Sequence, residues 1–286
     1  MSNAAVLKSM LAKSLETPVV VPGGGTPLEA LAAEKAGFSA FYLSGYAVAA
    51  WRHGLPDIGL LGARDTAEAL TAVTRVSSLP VICDADTGYG NEASVYSTVR
   101  LLEAAGASAI QFEDQTWPKK CGHMSNKSVV DADEAVRKVA AAVAAKSNPD
   151  TTIIARTDSL APVSIEESLR RAKMFRDVGA DVLFIDAPQS MEDLEQIGRE
   201  LAGSTLMANM SESGLTPALS AAEFAKLGFG LVVFPTSALR LGMQSVTNLY
   251  STLKSSGDAR DAESRIVMLD DLNDLVKLEL YNSIGQ

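Results

Sequence analysis

Two short stretches of the chain carry residue types that acid–base and metal chemistry require. The first is Asp84-Ala-Asp-Thr-Gly, which ends the apolar run Leu79-Pro-Val-Ile-Cys. Carboxylates two apart on a strand point the same way, so Asp84 and Asp86 share one face while Cys83 and Ala85 take the other. Two like charges held in a partly dry site repel, and a divalent cation is the simplest remedy. Asp57 and Glu113 add carboxylates suited to holding that cation's waters, an arrangement typical of Mg²⁺. The second stretch runs from Gln111 to Met124 and joins an apolar strand to a loop with Lys119, Lys120, Cys121 and His123. Nearby cations lower a thiol's pKa from about 8.5 and make it a competent proton donor or nucleophile near neutral pH. The competing reading is an incidental loop cysteine, and Cys83 reads as a packing residue.

These residues need a frame that brings distant strand ends together. Apolar or β-branched runs open at Thr17, Ala40, Leu79, Ser108, Thr151, Asp181, Thr205 and Gly230. Helical patterns follow, among them Pro27 to Ala36, Thr66 to Ser77, Glu92 to Ala105, Asp131 to Lys146 and Ile165 to Val178. Eight strand-then-helix units predict an α/β fold, a single (β/α)₈ barrel over residues 1–286 with 258–286 as a helical extension. An open doubly wound sheet fits less well, because Gly23-Gly-Gly lacks the spacing of a dinucleotide-binding turn. In a barrel, active sites gather at the carboxyl ends of the strands. There this chain places Ser44, Asp84, Asp86, Glu113, Arg156, Asp158, Asp186, Asn209, Ser211, Ser237 and Arg240. Arg156 and Arg240 have two uses open to them, clamping a substrate carboxylate or pairing with a barrel carboxylate.

Composition narrows the chemistry. A net charge of −10 opposes general binding to nucleic acid or an anionic membrane, so an anionic substrate must be held by a few local cations. Two cysteines and two histidines exclude a disulfide framework and disfavour Cys- or His-rich metal sites. Metal chemistry must then use carboxylates, which favours Mg²⁺ with Mn²⁺ possible. No run of about 18 apolar residues suits a membrane span, and the N-terminus lacks the pattern of a signal peptide, so a reducing cytoplasm is the expected location. The tail's apolar residues, from Ile266 through Leu278, suit a helix packed on its own barrel or docked on a neighbouring subunit.

Lys119-Lys-Cys-Gly-His, Asp84-Ala-Asp-Thr-Gly-Tyr-Gly and Gly54-Leu-Pro-Asp-Ile-Gly together resemble the isocitrate lyase/phosphoenolpyruvate mutase superfamily, in particular its 2-methylisocitrate and 2,3-dimethylmalate lyase branch. The resemblance covers roughly Thr17 to Arg240. It implies a (β/α)₈ barrel using Mg²⁺, in homotetramers that exchange a C-terminal helix. It also implies that Asp84 and Asp86 bind the metal with Asp57 and Glu113 around it, and that Cys121 is the general acid. Tyr42 falls where the family has a tyrosine handling the hydroxyl proton, while Ser44, Gly45, Tyr46, Gly122, His123, Arg156, Asp186, Asn209, Ser211 and Arg240 would bind substrate. The implied reaction is retro-Claisen cleavage of a 2-hydroxy dicarboxylate or tricarboxylate to an α-keto acid and a carboxylate. An oxaloacetate hydrolase is the close alternative; a phosphonopyruvate-processing enzyme fits less well, since such relatives generally lack Cys-Gly-His. Three departures, Asp186 for glutamate, Tyr46 for glycine and Leu272 for arginine, point toward a smaller or less charged substrate such as an alkylmalate. A Schiff-base aldolase using Lys119 or Lys120, and a catalytically silent binding protein, are the readings from other classes.

Overall fold

The computed structural model describes residues 1–121, 126–260, 262 and 266–285. The chain opens with helix α1 (Asn3–Leu11), then strand β1 (Val19–Gly24) and α2 (Pro27–Lys35). β2 (Phe41–Leu43) leads into α3 (Gly45–Ala47), a π-helical turn at Val48–Arg52 and α4 (Ala63–Thr74). There follow β3 (Val81–Asp84) and α5 (Glu92–Ala104), β4 (Ala109–Glu113) and α6 (Ala132–Ala145), and β5 (Thr152–Thr157) and α7 (Ile165–Asp177). The last units are β6 (Val182–Ile185) and α8 (Met191–Glu200), β7 (Thr205–Asn209) and α9 (Ala221–Lys226), and β8 (Phe229–Phe234) and α10 (Ser237–Ser256).

The eight parallel strands hydrogen-bond in sequence order, and β8 returns to β1 with Val19 opposite Leu231 and Val21 opposite Val233. This closed (β/α)₈ barrel is the predicted fold, with a strand at each expected position. Its strands are buried on both faces, which is why they read as near-continuous apolar runs rather than alternating ones. Inward residues, among them Ile82, Ala109, Ile154, Val182, Phe184 and Leu231, form one core cluster. Outward residues such as Cys83, Ile110, Leu183 and Val232 pack under the helices in two others. Helix α1 is absent from the sequence reading; its Leu7 and Leu11 join the inner cluster.

Local chemistry fixes where helices begin at the strand ends. Glu29 accepts from the amides of Gly25 and Thr26, closing the start of α2, and Asp193 does the same for Ser190 at α8. Helix α5 stops where the sequence places a glycine, Gly106, whose φ of +99° is a left-handed conformation that disfavours a side chain.

The tail expected to be helical across 258–280 contains two short helices, α11 (Leu269–Leu275) and α12 (Leu278–Asn282). They are separated by Lys277, at φ +60°, whose Nζ donates to Val76 O at 2.8 Å. Leu269, Leu280 and Tyr281 remain exposed, as do Leu241 and Tyr250 on α10. Among the described residues, no helix is long and apolar enough to cross a membrane.

Candidate active site

The carboxyl ends of the strands surround a cavity of about 320 Å³. Tyr42, Ser44, Tyr46, Asp57, Asp84, Glu113, Cys121, Arg156, Asn209, Ser211 and Arg240 all line it, so segments distant in sequence meet there. Gly122 and His123, expected to bind substrate, lie outside the described residues.

Asp84 ends β3 and is held by the Gly45 amide on Oδ2 at 3.3 Å, and by the Asp86 amide at 3.3 Å and the Gln111 side chain at 3.4 Å on Oδ1. Asp86 does not extend the strand, as the sequence reading assumed; it sits in the turn beyond it with φ +48°. The two carboxylates nevertheless converge. A Cβ at Gly45 would lie 3.2 Å from Asp84 Oδ2 and 3.3 Å from Asp86 Oδ1, so glycine is what keeps that space open. An adjoining hollow of about 10 Å³, roughly the room of one water-sized sphere, lies between Gly45, Asp57, Asp84 and Asp86 on one hand and apolar residues such as Leu43, Val48 and Leu61 on the other.

Lys119 reaches into this acidic corner. Its Nζ bonds Asp57 Oδ1 and lies 2.8 Å from Asp86 Oδ1. Burial alone would depress the ammonium pKa, but Asp86, Glu113, Asp57 and Asp84 outweigh it and hold the pKa well above the usual lysine value. The same burial raises Asp86 to about 7, with Asp84 and Asp57 adding repulsion and Lys119 opposing it. Burial also pushes Glu113 well above the carboxylate range, against the pull of Arg156, and its Oε1 has no hydrogen-bond partner.

A second buried network lies beside the first. Arg156 donates from Nε and Nη2 to Asp158 at 2.8 and 2.9 Å and from Nη2 to Asp186 at 3.0 Å, while its Nη1 lies 3.3 Å from Glu113. Lys127 donates to Asp158 at 2.8 Å and stands 3.6 Å from Asp186. Arg156 thus faces the cavity already partnered, the second of the two uses the sequence left open. Asp186, expected to touch substrate, is fully buried in this network and does not line the cavity, because the shorter side chain ends at Arg156.

At the rim, Arg240 donates to Glu212 O and, at 2.8 Å, to Ser213 Oγ. It is half exposed and lies 4.0 Å from the Glu212 carboxylate, so its charge is the more available to an incoming anion. Tyr42 is buried inside the barrel; burial first and Asp84 second raise its pKa well above the phenol value, so it keeps its proton near neutrality.

Six carboxylates (Asp57, Asp84, Asp86, Glu113, Asp158 and Asp186) therefore meet three cations (Lys119, Lys127 and Arg156) in these two networks. Among the described residues no three His, Cys, Asp or Glu side chains close around one point. Mg²⁺ does not need three: it keeps several waters and is held through one or two carboxylates. The excess of acid, the unpartnered Glu113 oxygen and the space that Gly45 leaves beside Asp84 and Asp86 fit such an ion.

A family model described as phosphoenolpyruvate phosphomutase matches residues 10–254. The chain belongs to the PEP mutase/isocitrate lyase superfamily. Within that superfamily it is 38% identical to the 2,3-dimethylmalate lyase of Eubacterium barkeri, over 99% of this chain and 97% of that protein. It is 37% identical to a 2-methylisocitrate lyase of Aeropyrum pernix, over 92% and 83%. A crystal structure of 2,3-dimethylmalate lyase superposes with TM-score 0.93 at 35% identity, covering 99% of this chain and 94% of the other. Oxaloacetate acetylhydrolase bound to 3,3-difluorooxalacetate gives TM-score 0.94 at 29%, covering 99% and 96%. A phosphonopyruvate hydrolase solved with oxalate and Mg²⁺ gives 0.89 at 27%, covering 99% and 98%.

For this superfamily member, sequence reasoning missed Gln115, Lys127, Glu212 and Ser213. The last two line the cavity and engage Arg240. Gln115 and Lys127 are buried polar side chains. A run of polar loop residues conceals such groups, because only their distant partners set them apart from solvated ones.

Proposed function

We propose that the chain is a Mg²⁺-dependent carbon–carbon lyase that cleaves a 2-hydroxy dicarboxylate or tricarboxylate, of alkylmalate or 2-methylisocitrate type, to an α-keto acid such as pyruvate and a second carboxylate. The observation that carries this reading is that Cys121 and Asp84, from distant segments, line one cavity. The relatives named as dimethylmalate and methylisocitrate lyases support it.

Mg²⁺ held by Asp84 and Asp86, with Asp57 and Glu113 around it, would supply Lewis-acid polarisation to the oxygens of the keto-acid half. Arg240, with Asn209 and Ser211 beside it, binds the carboxylate of the leaving half. Tyr42 lines the cavity with its proton retained, so it donates a hydrogen bond toward the substrate hydroxyl. As the carbon–carbon bond breaks, the hydroxyl oxygen becomes the keto oxygen and its proton passes to a basic group facing the cavity, while negative charge develops on the leaving half and Cys121 delivers its S–H proton to that carbon. Lys119 and Lys120, next to it in sequence, favour the thiolate that remains.

A second reading, oxaloacetate hydrolysis to oxalate and acetate, is favoured by the TM-score of 0.94 to oxaloacetate acetylhydrolase. Incubation with alkylmalates, 2-methylisocitrate, isocitrate and oxaloacetate separates the two. The lyase reading expects Mg²⁺-dependent keto-acid release from a malate or methylisocitrate; oxalate from oxaloacetate alone would replace it with the hydrolase.

We also propose a homotetramer in which the tail docks on a neighbouring subunit. Leu269 on the tail (71% exposed) and Leu241 on α10 (71%) are each apolar side chains that burial against a neighbour would stabilise. A chain ended at Gly257 is expected to elute from gel filtration as a smaller species than the full chain. Equal oligomeric size would remove the tail from assembly.

A further inference from the structure

We propose that Gln115 and Lys127 are positioning residues for Cys121, holding its segment from opposite sides. Just beyond β4, the buried Gln115 side chain grips a single residue twice: its Nε2 donates to Lys120 O at 2.8 Å, and its Oε1 accepts from Lys120 N at 3.0 Å. Lys120 is the residue bonded to Cys121. Two hydrogen bonds from one planar amide fix both the place and the direction of that backbone, as a neighbouring strand would.

On the far side, the chain returns beside the segment that follows β4, through Thr116 N to Ser128 O and Val130 N to Asp114 O, both 2.9 Å, and Lys127 comes immediately before these contacts. Its side chain is only 2% exposed. A lysine is buried to this extent only when paired, and its partners Asp158 and Asp186 follow β5 and β6. Burial opposes the ammonium form, yet Asp158 and Asp186 hold its pKa above the ordinary value, so the charge persists. Lys120 closes the span, its Nζ donating to Asn126 O at 2.9 Å. Neither Gln115 nor Lys127 lines the cavity, so both act through the placement of the sulfur.

The catalytic consequence rests on Cys121 being the acid; the placement of the sulfur does not. Gln115→Met and Lys127→Met keep side-chain length and remove the anchors. The primary measurement is the rate of Cys121 alkylation by iodoacetamide, followed on its peptide, with the fully buried Cys83 as an internal gauge of unfolding. In both variants that rate is expected to change about tenfold or more while Cys83 stays unlabelled, because local release does not require global unfolding. In Gln115→Met, kcat is expected to fall roughly 10- to 100-fold with little change in KM, the signature of a misplaced group.

Cys121 alkylation within about twofold of the parent rate in both variants overturns the proposal whatever turnover does. A changed alkylation rate in a protein that cleaves no substrate upholds the positioning role and sinks the lyase reading instead. Should Cys83 become labelled in either variant, Gln115→Glu and Lys127→Arg carry the same test. Each keeps part of the anchor and is expected to fall between parent and Met variant; parental rates in both overturn the proposal.

Discussion

Cys121→Ser is expected to lower kcat by about a hundredfold or more while leaving Mg²⁺ affinity nearly unchanged. A serine hydroxyl is close in size to a thiol but a far weaker acid, so the variant removes the proton donor with little change in shape. General acid catalysis contributes about 10²- to 10⁴-fold, and a hundredfold loss corresponds to about 2.7 kcal/mol of barrier. Cys121 shares the cavity with Asp84 but comes from a different segment, so the carboxylates proposed to hold the metal should not register the change. Steady-state keto-acid release and a Mg²⁺ titration followed by thermal shift measure the two halves. Near-parental turnover would remove Cys121 from the acid role; loss of Mg²⁺ binding would assign it a structural part in the acidic corner instead.

How much of this was legible beforehand differs from one residue to the next, for physical reasons. The barrel strands could be read because burial on both faces makes each a short apolar run that ends abruptly in polar residues, as at Val81–Asp84 and Thr152–Thr157. Asp84 and Asp86 do converge, but strand alternation was the wrong reason: the strand stops at Asp84, and the left-handed turn at Asp86, next to Gly45, returns the second carboxylate. Arg156 had two uses, and the fold shows one of them, pairing with Glu113, Asp158 and Asp186, at a side chain that also lines the cavity. Asp186 was placed in the substrate pocket by family resemblance, which carries no information on how deep its side chain lies in this chain. Lys127 escaped notice because a buried lysine is conspicuous only once its acidic partners, 31 and 59 positions away, are beside it. α1 was missed because its apolar residues, Ala4, Leu7 and Leu11, form a stripe too sparse to stand out before the barrel end they join is known.

Stripping Mg²⁺ with EDTA is expected to abolish turnover, and the stabilisation Mg²⁺ confers is expected to be larger near pH 8 than near pH 6. Burial, reinforced by Asp84 and Asp57, raises Asp86 from 3.8 to about 7. Between those two values the folded protein holds a proton that the unfolded chain has released, so raising the pH through this range destabilises the metal-free protein. One pKa unit is worth about 1.4 kcal/mol, which bounds the effect at roughly 4 kcal/mol, less whatever Lys119 and relaxation recover. A divalent cation competes with that proton for the same corner, so it binds more weakly as the pH falls through 7 and stabilises most where Asp86 is ionised. Thermal melts with and without Mg²⁺ at the two pH values measure this directly. An equal Mg²⁺ shift at both would remove Asp86 from the metal's surroundings. Turnover that survives EDTA would revive a Schiff-base mechanism, testable by inactivation with substrate plus borohydride. Lys119 is poorly suited to that chemistry: an amine nucleophile needs a depressed pKa, and the carboxylates around Lys119 hold its pKa well above the ordinary value.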